Sequence, residues 1–339
     1  MFKRILVPLD GSVRAERAIS MAARVARAYQ SSIMLLRVVE DVRQYGIYLP
    51  QYPISVRQEF EAEMMAEATS YLEGISQCSE LLGVATEAKA LSGIAGSTIL
   101  DVAQFQAIDL IVLCSRGRTG IKRWVLGSVA QEVVRHSPEP VLVLHEHGIM
   151  PPPSRAGSPF RALVALDGSL LSETVLEPTA RLVAALAAPA GGALHLFRVV
   201  GILSRSGQVY SEAYSATMTQ EEVRQKAQAY LEALVNRLRE GELAKLHLTI
   251  TSSVAVSSEV AGTIIRVAEQ GEAEAGAGGY DLIAMATHGR GGLQRWAMGS
   301  ITEQVLGASR LPLFIVRPHQ IVAQAQSKGK GEELVITHQ

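Results

Sequence analysis

The chain has 339 residues, of which 48% are hydrophobic and 19% charged, and this composition excludes an intrinsically disordered protein. Its formal net charge of −1 provides no overall field that would recruit nucleic acid or an anionic membrane, although it leaves room for a local phosphate site. The two cysteines, Cys78 and Cys114, do not suggest a disulfide framework or a CxxC metal site, and neither a signal-peptide h-region nor a bilayer-length apolar stretch is found, so we expect a cytoplasmic protein.

Short apolar runs alternate with longer helical patterns along the first half of the chain. The runs are nearly continuous in valine, isoleucine and leucine, as expected for strands that are buried on both faces; they are residues 4–9, 33–39, 109–114 and 140–144, with a weaker, alternating run at 86–91. The segment SVRAERAISMAARVARAY places apolar residues at helical spacing after a serine N-cap. The pattern predicts alternating strands and helices.

The second half repeats the first in the same order, which indicates a tandem duplication. The matching segments are RILVPLDGS (4–12) with RALVALDGS (161–169), LLRVVE (35–40) with LFRVVG (196–201), TILDVA (98–103) with TIIRVA (263–268), and DLIVLCSRG (109–117) with DLIAMATHG (281–289). We predict one domain over 1–147, a Pro/Gly/Ser linker over 148–159, a second domain over 160–318 and a flexible tail over 319–339. The insertion at 271–279 is interpreted as an enlarged surface loop.

Strands that alternate with helices form parallel sheets with right-handed crossovers. We therefore predict an α/β protein with two tandem, open, doubly wound, five-stranded parallel sheets. Such sheets bind ligands beyond the carboxyl ends of their strands, at the point where the strand order reverses. Asp10, Val39–Glu40 and Cys114–Gly117 all follow predicted strands, so one crevice could hold them.

A glycine-containing segment occurs once in each half, as SRGRTGIKRWVLGS (115–128) and THGRGGLQRWAMGS (287–300). Each segment begins at a strand end and finishes at a predicted helix start, where free N–H groups and the helix dipole favour an anion. Gly127–Ser128 and Gly299–Ser300 are therefore candidate phosphate sites. The nearby polar side chains, which could add phosphate donors, are Arg116, Arg118, Lys122, Arg123, Arg290, Gln294 and Arg295.

The arrangement resembles the universal stress protein family, whose ATP-binding members carry G-2x-G-9x-G-[ST] after the fourth strand. Here Gly117, Gly127 and Ser128 match that motif, as do Gly289, Gly299 and Ser300, whereas the first glycine is replaced by Cys114 in one copy and by Ala286 in the other. The resemblance extends from Met1 to about Pro318. It implies an adenine nucleotide alpha hydrolase-like fold and binding of ATP, or of ADP or AMP, with Mg²⁺ arriving through the phosphates.

The resemblance also implies which residues hold the nucleotide. Asp10 with Val38 or Val39, and Asp167 with Val199 or Val200, would contact the adenosine portion. The complete expected set is Pro8, Leu9, Asp10, Val38, Val39, Cys114, Arg116, Gly117, Arg118, Gly127, Ser128 and Val129 in the first half, and Ala165, Leu166, Asp167, Val199, Val200, Ala286, His288, Gly289, Arg290, Gly299, Ser300 and Ile301 in the second. Family members dimerise through their last strands, so residues 140–145 and 311–318 should pair within the chain as an intramolecular pseudo-dimer.

Simpler interpretations stay open for several of these residues. Asp10 and Asp167 could only make Asp-Gly turns capped by serine, and the repeated glycines could serve turns alone. Trp124 and Trp296 suit packing better than base stacking, and His288 suits a polar loop better than a general base. His145 and His147 lack further metal ligands, so no metal site is expected. Residues 41–60 are predicted to form a loop that serves as a lid, as a partner surface or as a plain mobile connection.

Three functions are compatible with these patterns. The first is a nucleotide-binding stress or signalling module, with no nucleic-acid or membrane partner. The second is an enzyme, a slow ATPase or nucleotidyl transferase, which would need a positioned base and carboxylates for Mg²⁺. Because Asp10 and Asp167 are already assigned to the adenosine end, we rank binding above turnover and predict no catalytic residue. The third is an interaction scaffold with vestigial sites, which the loss of the first glycine would favour.

Overall fold

The computed structural model describes residues 2–40, 54–115, 126–145, 148–151, 159–201, 219–272, 278–288 and 298–318. The elements of the first half, in chain order, are β1 (Arg4–Pro8), α1 (Val13–Tyr29), β2 (Ser32–Val39), α2 (Ile54–Ser76), β3 (Thr86–Ser92), α3 (Ala95–Phe105), β4 (Leu110–Cys114), α4 (Ser128–His136) and β5 (Val141–Leu144). The elements of the second half are β6 (Phe160–Ala165), α5 (Leu170–Glu173), α6 (Leu176–Ala187), β7 (Gly192–Gly201), α7 (Gln220–Glu240), β8 (Thr249–Ser257), α8 (Val260–Gln270), β9 (Leu282–Ala286), α9 (Ser300–Ala308) and β10 (Leu313–Val316).

The strands form one ten-stranded sheet in the order β3-β2-β1-β4-β5-β10-β9-β6-β7-β8. Within each half the neighbouring strands are parallel, and the strand order reverses between β1 and β4 and between β6 and β9. The halves meet where β5 and β10 pair antiparallel, with Phe314 opposite Leu142. The predicted α/β fold with two parallel five-stranded units is therefore confirmed, and the two units share a single continuous sheet.

The core lies on both faces of this sheet because side chains along a strand alternate between faces. Leu35 and its neighbours pack on the face that carries α1 and α6, whereas Leu6 and its neighbours pack on the face that carries α3, α4, α8 and α9. Phe314 of β10 is buried in the same cluster as Phe2 of the first half, with the two rings edge to face at 6.5 Å. Because the two phenylalanines belong to one cluster, the hydrophobic core is continuous across the junction of the halves. Burial of each such side chain contributes about 1.5–3 kcal/mol.

One segment differs from the sequence-based predictions, and part of the predicted linker contacts the folded core. Residues 54–60, predicted as part of a loop over 41–60, form the first turns of α2. Gly148–Pro151, predicted as linker, is bonded to the folded core: Ile149 N–H donates to the Arg310 carbonyl at 3.0 Å, and Arg24 Nη1 donates to the Pro151 carbonyl at 3.0 Å. The rest of the predicted loop (41–53), most of the linker (152–158) and the predicted tail (319–339) lie outside the described residues.

The second half also breaks the long helix that follows its first strand. Where the first half has the 17-residue α1, the second half has a four-residue α5 and then α6. Pro178, in the first turn of α6, has no N–H to donate to the carbonyl of Thr174, and its ring would clash with that carbonyl. The chain therefore restarts the helix at Leu176. None of the helices within the described ranges is long and apolar enough to cross a membrane.

Candidate functional site

The predicted site residues within the described ranges lie towards the carboxyl edge of the sheet. β1 and β4 are adjacent parallel strands, with Ile5 opposite Leu110, so Asp10 after β1 and Ser115 after β4 lie at the same edge. Gly127 N–H donates to the Ser115 carbonyl at 2.8 Å, which fixes the start of α4 at the end of β4. In the second half Gly299 N–H donates to the Thr287 carbonyl, also at 2.8 Å. Each half therefore has one crevice between a strand end and a helix start.

One wall of each crevice is an Asp-Gly-Ser turn with the same geometry in both halves. Asp10 Oδ1 accepts hydrogen bonds from Ser12 N–H at 3.0 Å and from Ser12 Oγ at 2.6 Å. Asp167 Oδ1 accepts the corresponding bonds from Ser169 at 2.9 and 2.6 Å. The intervening Gly11 and Gly168 have φ values of +84° and +85°, a conformation that favours glycine. The aspartates thus make the capped turn, through Oδ1, and stand half-buried at the crevice.

The serine of each turn also begins a helix. Ser12 Oγ accepts from Ala15 N–H at 3.2 Å and caps α1, and Ser169 Oγ accepts from Ser172 N–H at 3.1 Å and caps α5. The predicted serine N-cap of the first helix is confirmed. These helix starts are therefore satisfied by protein groups, which leaves the opposite wall as the better anion site.

The opposite wall is the start of α4 or α9, where glycine takes the N-cap position. Within the described ranges no side chain caps Gly127 or Gly299, and Ser128 and Ser300 are exposed. The first N–H groups of an α-helix have no partner inside the helix, and the dipole adds partial positive charge. A Cβ built on Gly299 would lie 3.2 Å from the Thr287 carbonyl oxygen, so a side chain here would crowd the strand end. A helix start of this kind favours an anion.

The two residues that replace the first glycine of the motif, Cys114 and Ala286, are buried and form hydrogen bonds within the protein. Cys114 is 9% exposed, and its Sγ donates to the Arg14 carbonyl at 2.9 Å. This bond holds the thiol against the first turn of α1. Ala286 is 7% exposed, and its carbonyl accepts from Thr302 Oγ1 at 3.0 Å. His288 Nδ1 lies 2.8 Å from Thr287 Oγ1, which agrees with a polar loop residue.

The remaining predicted contacts are mostly apolar and buried. Leu9 and Leu166 are buried, and their N–H groups donate to the carbonyls of Leu36 and Phe197 at 2.8 and 2.9 Å. The remaining core-facing members of the predicted set are Val38, Val129, Ala165, Val199 and Ile301, which pack on the face of α3, α4, α8 and α9. Pro8 ends β1, and Val200 packs against α7.

Val39 lines a cavity of about 280 Å³ at the end of β2. The rest of its wall is formed by Glu40, Ser92 and five residues of α2, namely Gln58, Glu61, Ala62, Met64 and Met65. This cavity lies on the α2 side of the carboxyl edge, beside the strand that the resemblance assigns to adenosine.

Each half contains an arginine–tyrosine–glutamate cluster that the sequence analysis did not identify, and in the first half its arginine lies beside Gly11 of the Asp-Gly-Ser turn. In the first half the Arg37 guanidinium stands over the Tyr71 ring at 5.1 Å, and Tyr71 Oη donates to Glu16 Oε1 at 3.0 Å. In the second half Arg198 stands over Tyr230 at 5.5 Å, and Tyr230 Oη donates to Glu173 Oε1 at 2.9 Å. Burial, reinforced by the glutamate bond, raises the pKa of both phenols.

A repeated signal in the sequence could have revealed this cluster. Arginine occupies the same place in LLRVVE (35–40) and LFRVVG (196–201), and the tripeptide Tyr-Leu-Glu occurs at 71–73 and at 230–232. The arginines interrupt otherwise apolar strands, which is unusual for a doubly buried position.

Other predicted site residues cannot be placed. Arg116, Gly117, Arg118, Lys122, Arg123, Trp124, Gly289, Arg290, Gln294, Arg295, Trp296 and His147 lie outside the described residues. Among the residues that the structure does describe, no group of three or more His, Cys, Asp or Glu side chains could hold a metal ion.

Comparisons with known proteins agree with this architecture. The model of the Universal stress protein family matches residues 1–145 and 160–317. Universal stress protein YxiE of Bacillus subtilis is 32% identical over 150 residues, covering 42% of this chain and 99% of that protein. Universal stress protein Rv2005c of Mycobacterium tuberculosis is 26% identical over 321 residues, covering 92% of this chain and 96% of that protein. The crystal structure of a universal stress protein from Archaeoglobus fulgidus covers 93% of this chain at a TM-score of 0.60 and 21% identity, and this similarity supports the fold alone.

Proposed function

The chain belongs to the universal stress protein family, and on that premise we propose that it binds an adenine nucleotide, with ATP as the preferred ligand, at the carboxyl edge of one or both halves. Binding would make the chain a stress-response or signalling module whose two halves act as an intramolecular pseudo-dimer in the cytoplasm. Cys78 and Cys114, both free thiols, are compatible with a reducing compartment.

The observation that carries the proposal is the pair of glycine N-caps at α4 and α9. A triphosphate would accept hydrogen bonds from the N–H groups of Ser128 and Val129, or of Ser300 and Ile301, with the serine hydroxyl as a further donor. This donor set suits an anion, and Mg²⁺, if bound, would be held through the phosphates.

The opposite wall suits the other end of a nucleotide. Asp10 and Asp167 are half-buried acceptors at the same edge as the glycine N-caps, and a carboxylate oxygen accepts hydrogen bonds from ribose hydroxyls. Val39, which lines the neighbouring cavity, would offer apolar surface to a base in the first half. An anion site and a hydroxyl-binding carboxylate on one crevice match the two ends of a nucleotide.

Slow ATP hydrolysis and a scaffold with vestigial sites are the competing functions. Hydrolysis needs a group that positions the attacking water and carboxylates that hold Mg²⁺, and the two aspartates of the crevices, Asp10 and Asp167, are each bonded to a serine. A scaffold would follow if Cys114 and Ala286 block the phosphates. We therefore rank nucleotide binding first.

Substitution of the glycine N-caps tests the proposal. In Gly127→Val and Gly299→Val the side chain would occupy the anion site, so each variant should lose one of the two sites and the double variant both, as measured by calorimetric titration with Mg-ATP. Gly74→Val is the matched control, because a Cβ on Gly74 meets no atom within 4 Å. Retained stoichiometry in the double variant, with unchanged thermal unfolding, would contradict the phosphate assignment.

A further inference from the structure

We propose that Arg37 and Arg198 are positioning residues of the two nucleotide sites, each clamped by a tyrosine so that it supports the Asp-Gly turn from behind. The inference rests on the proposed function, because the turn matters to the extent that its aspartate contacts the nucleotide. It assigns a role to the arginine–tyrosine–glutamate clusters, which the family motif leaves without one.

The contact between Arg37 and the turn is close. A Cβ built on Gly11 would lie 3.4 Å from Arg37 Cζ and 3.5 Å from each of its terminal nitrogens. The guanidinium therefore lies next to the turn, at van der Waals distance from the position that a side chain of residue 11 would take. Gly11 has φ +84°, and glycine has many other conformations available, so contacts from neighbouring side chains help to keep the turn in one conformation.

The arginine is itself held in place. Its side chain is 11% exposed, with Glu67 Oε1 3.3 Å from Nη2 on one side and the Tyr71 ring on another. Tyr71 is fixed in turn by its bond to Glu16, in the first turn of the helix that Ser12 caps. The planar guanidinium suits stacking on an aromatic face, which the ammonium of lysine does not. The chain of contacts thus runs from α2 through Arg37 to the turn.

The same cluster recurs in the second half with different neighbours. Arg198 is 6% exposed and stands over Tyr230, which donates to Glu173. Glu173 also forms an ion pair with Arg237. Arg237 stands seven residues after Tyr230, and the first half has Cys78 at the same distance after Tyr71. The elements common to both halves are the arginine, the tyrosine, the glutamate and the Asp-Gly-Ser turn.

Packing alone does not account for this recurrence. A buried cation loses hydration, and apolar residues of similar volume often stabilise such a position as well or better. The charge of Asp10 acts on Tyr71, and that of Asp167 on Tyr230, each contributing to the raised pKa of the phenol. Arg37 and Arg198 act on the same two phenols in the opposite direction, so each tyrosine lies close to both its arginine and the aspartate of the turn. A turn held in its binding conformation costs less to order when ligand arrives.

Two readouts test the role of Arg37. Without nucleotide, amide hydrogen exchange at Ser12, whose N–H is bonded to Asp10 Oδ1, should become about tenfold faster in Arg37→Met. With nucleotide, the same substitution in the Gly299→Val background, where the first site alone binds, should weaken Mg-ATP binding about tenfold. Arg37→Lys, which keeps the charge and loses the planar stack, should give a smaller effect of about threefold on both. Arg4→Met, at the opposite end of the sheet, is the control and should leave both unchanged.

The outcomes separate this inference from the proposed function. If the unsubstituted chain binds no Mg-ATP, the proposed function fails, and the exchange at Ser12 alone decides whether Arg37 positions the turn. Unchanged exchange and affinity in a folded Arg37→Met variant overturn the inference. If Arg37→Met does not fold, Arg37→Lys and the matched Arg198→Met variant, read at Ser169 and in the Gly127→Val background, provide the same decision.

Discussion

The two halves of the chain are alike at the carboxyl edge of the sheet and differ towards its amino edge. Asp10 and Asp167 have the same serine bonds, and the glycine N-caps have the same bond to the strand end. The halves differ, however, at one core position of the strand that follows the first helix of each half. In β2 this position is Met34, opposite Leu6 of β1, and in β7 it is His195, opposite Leu163 of β6. The shared geometry therefore concentrates where we propose the nucleotide, and the differences lie in the structural support.

His195 replaces apolar packing by a polar network. It is 7% exposed, with Nδ1 2.8 Å from Thr251 Oγ1 and Nε2 2.8 Å from Ser253 Oγ, and Ser253 Oγ donates to Glu272. Tyr280 lies beside the imidazole at 5.4 Å, and Arg161 stands over Tyr280. Glu272 is the second residue of the predicted insertion at 271–279 and Tyr280 directly follows it, so the network attaches both ends of that segment to the sheet.

The largest expected difference between the halves is therefore their response to acid. Burial lowers the pKa of His195 below 6.5, with Glu272 opposing and Arg161 adding to that shift. As the pH falls below about 6.5, the unfolded chain binds the proton before the native chain does, so stability is lost down to the folded pKa, by at most about 1.4 kcal/mol per pH unit. Amide exchange should reveal this loss in β7 and β8 between pH 7.5 and 5.5, and not in β2 and β3.

His195→Met converts this position to the residue of the first half. At pH 7.5 the change should cost about 1–3 kcal/mol in β7 and β8, because Thr251 and Ser253 lose a partner, and the acid response should disappear. Asp109 and Asp281 occupy corresponding positions in the two halves, and burial raises the pKa of both carboxyls. Because the shift has the same direction in both halves, these residues do not confound the comparison. An equal acid response in the variant and the parent chain would contradict this account.

A smaller difference is expected when the shared serine caps are removed. Ser12→Ala should cost about 1 kcal/mol, because Ser12 caps the 17-residue α1. Ser169→Ala should cost less, about 0.5 kcal/mol, because it caps the four-residue α5 ahead of the break imposed by Pro178. Urea unfolding followed by exchange in each half measures both, and a larger loss for Ser169→Ala would reverse the comparison.

The smallest effect is expected at the amino end of the first strand. Arg4 forms an ion pair with Glu87 at 2.6 Å, between side chains that are 31% and 54% exposed, and such pairs contribute about 0–1 kcal/mol. Glu87→Gln should therefore change the free energy of unfolding by less than about 1 kcal/mol.

Tyr280→Leu, which removes the ring beneath Arg161, should cost more than Glu87→Gln in the same urea titration. The opposite order would show that the aromatic contact adds nothing to the second half.

Most of the fold could be predicted from the sequence because its strands are doubly buried and their apolar runs are nearly continuous. The family resemblance is confirmed by the matches to both halves. The helix over residues 54–60 could not be predicted, since tyrosines and prolines just before it favoured a loop. The break before Pro178 follows from a known rule, because proline lacks the N–H and its ring clashes with the carbonyl four residues earlier.

The candidate site was predictable where backbone geometry demands particular residues, as at the Asp-Gly-Ser turns and the glycine N-caps. Arg37 and Tyr71 were not, because their partnership joins a strand to a helix more than 30 residues away and no local spacing encodes it. The direction of the Cys114 thiol was likewise set by α1, through the Arg14 carbonyl, rather than by its own segment.

Native mass spectrometry of the freshly purified chain tests the central claim most directly. The chain should carry one or two co-purified molecules whose masses, after denaturation, identify ATP or ADP, and the ratio per chain would state whether one or both halves bind. A chain free of any adduct, which also fails to bind added Mg-ATP in calorimetry, would contradict nucleotide binding and favour a scaffold whose crevices Cys114 and Ala286 have closed to phosphate.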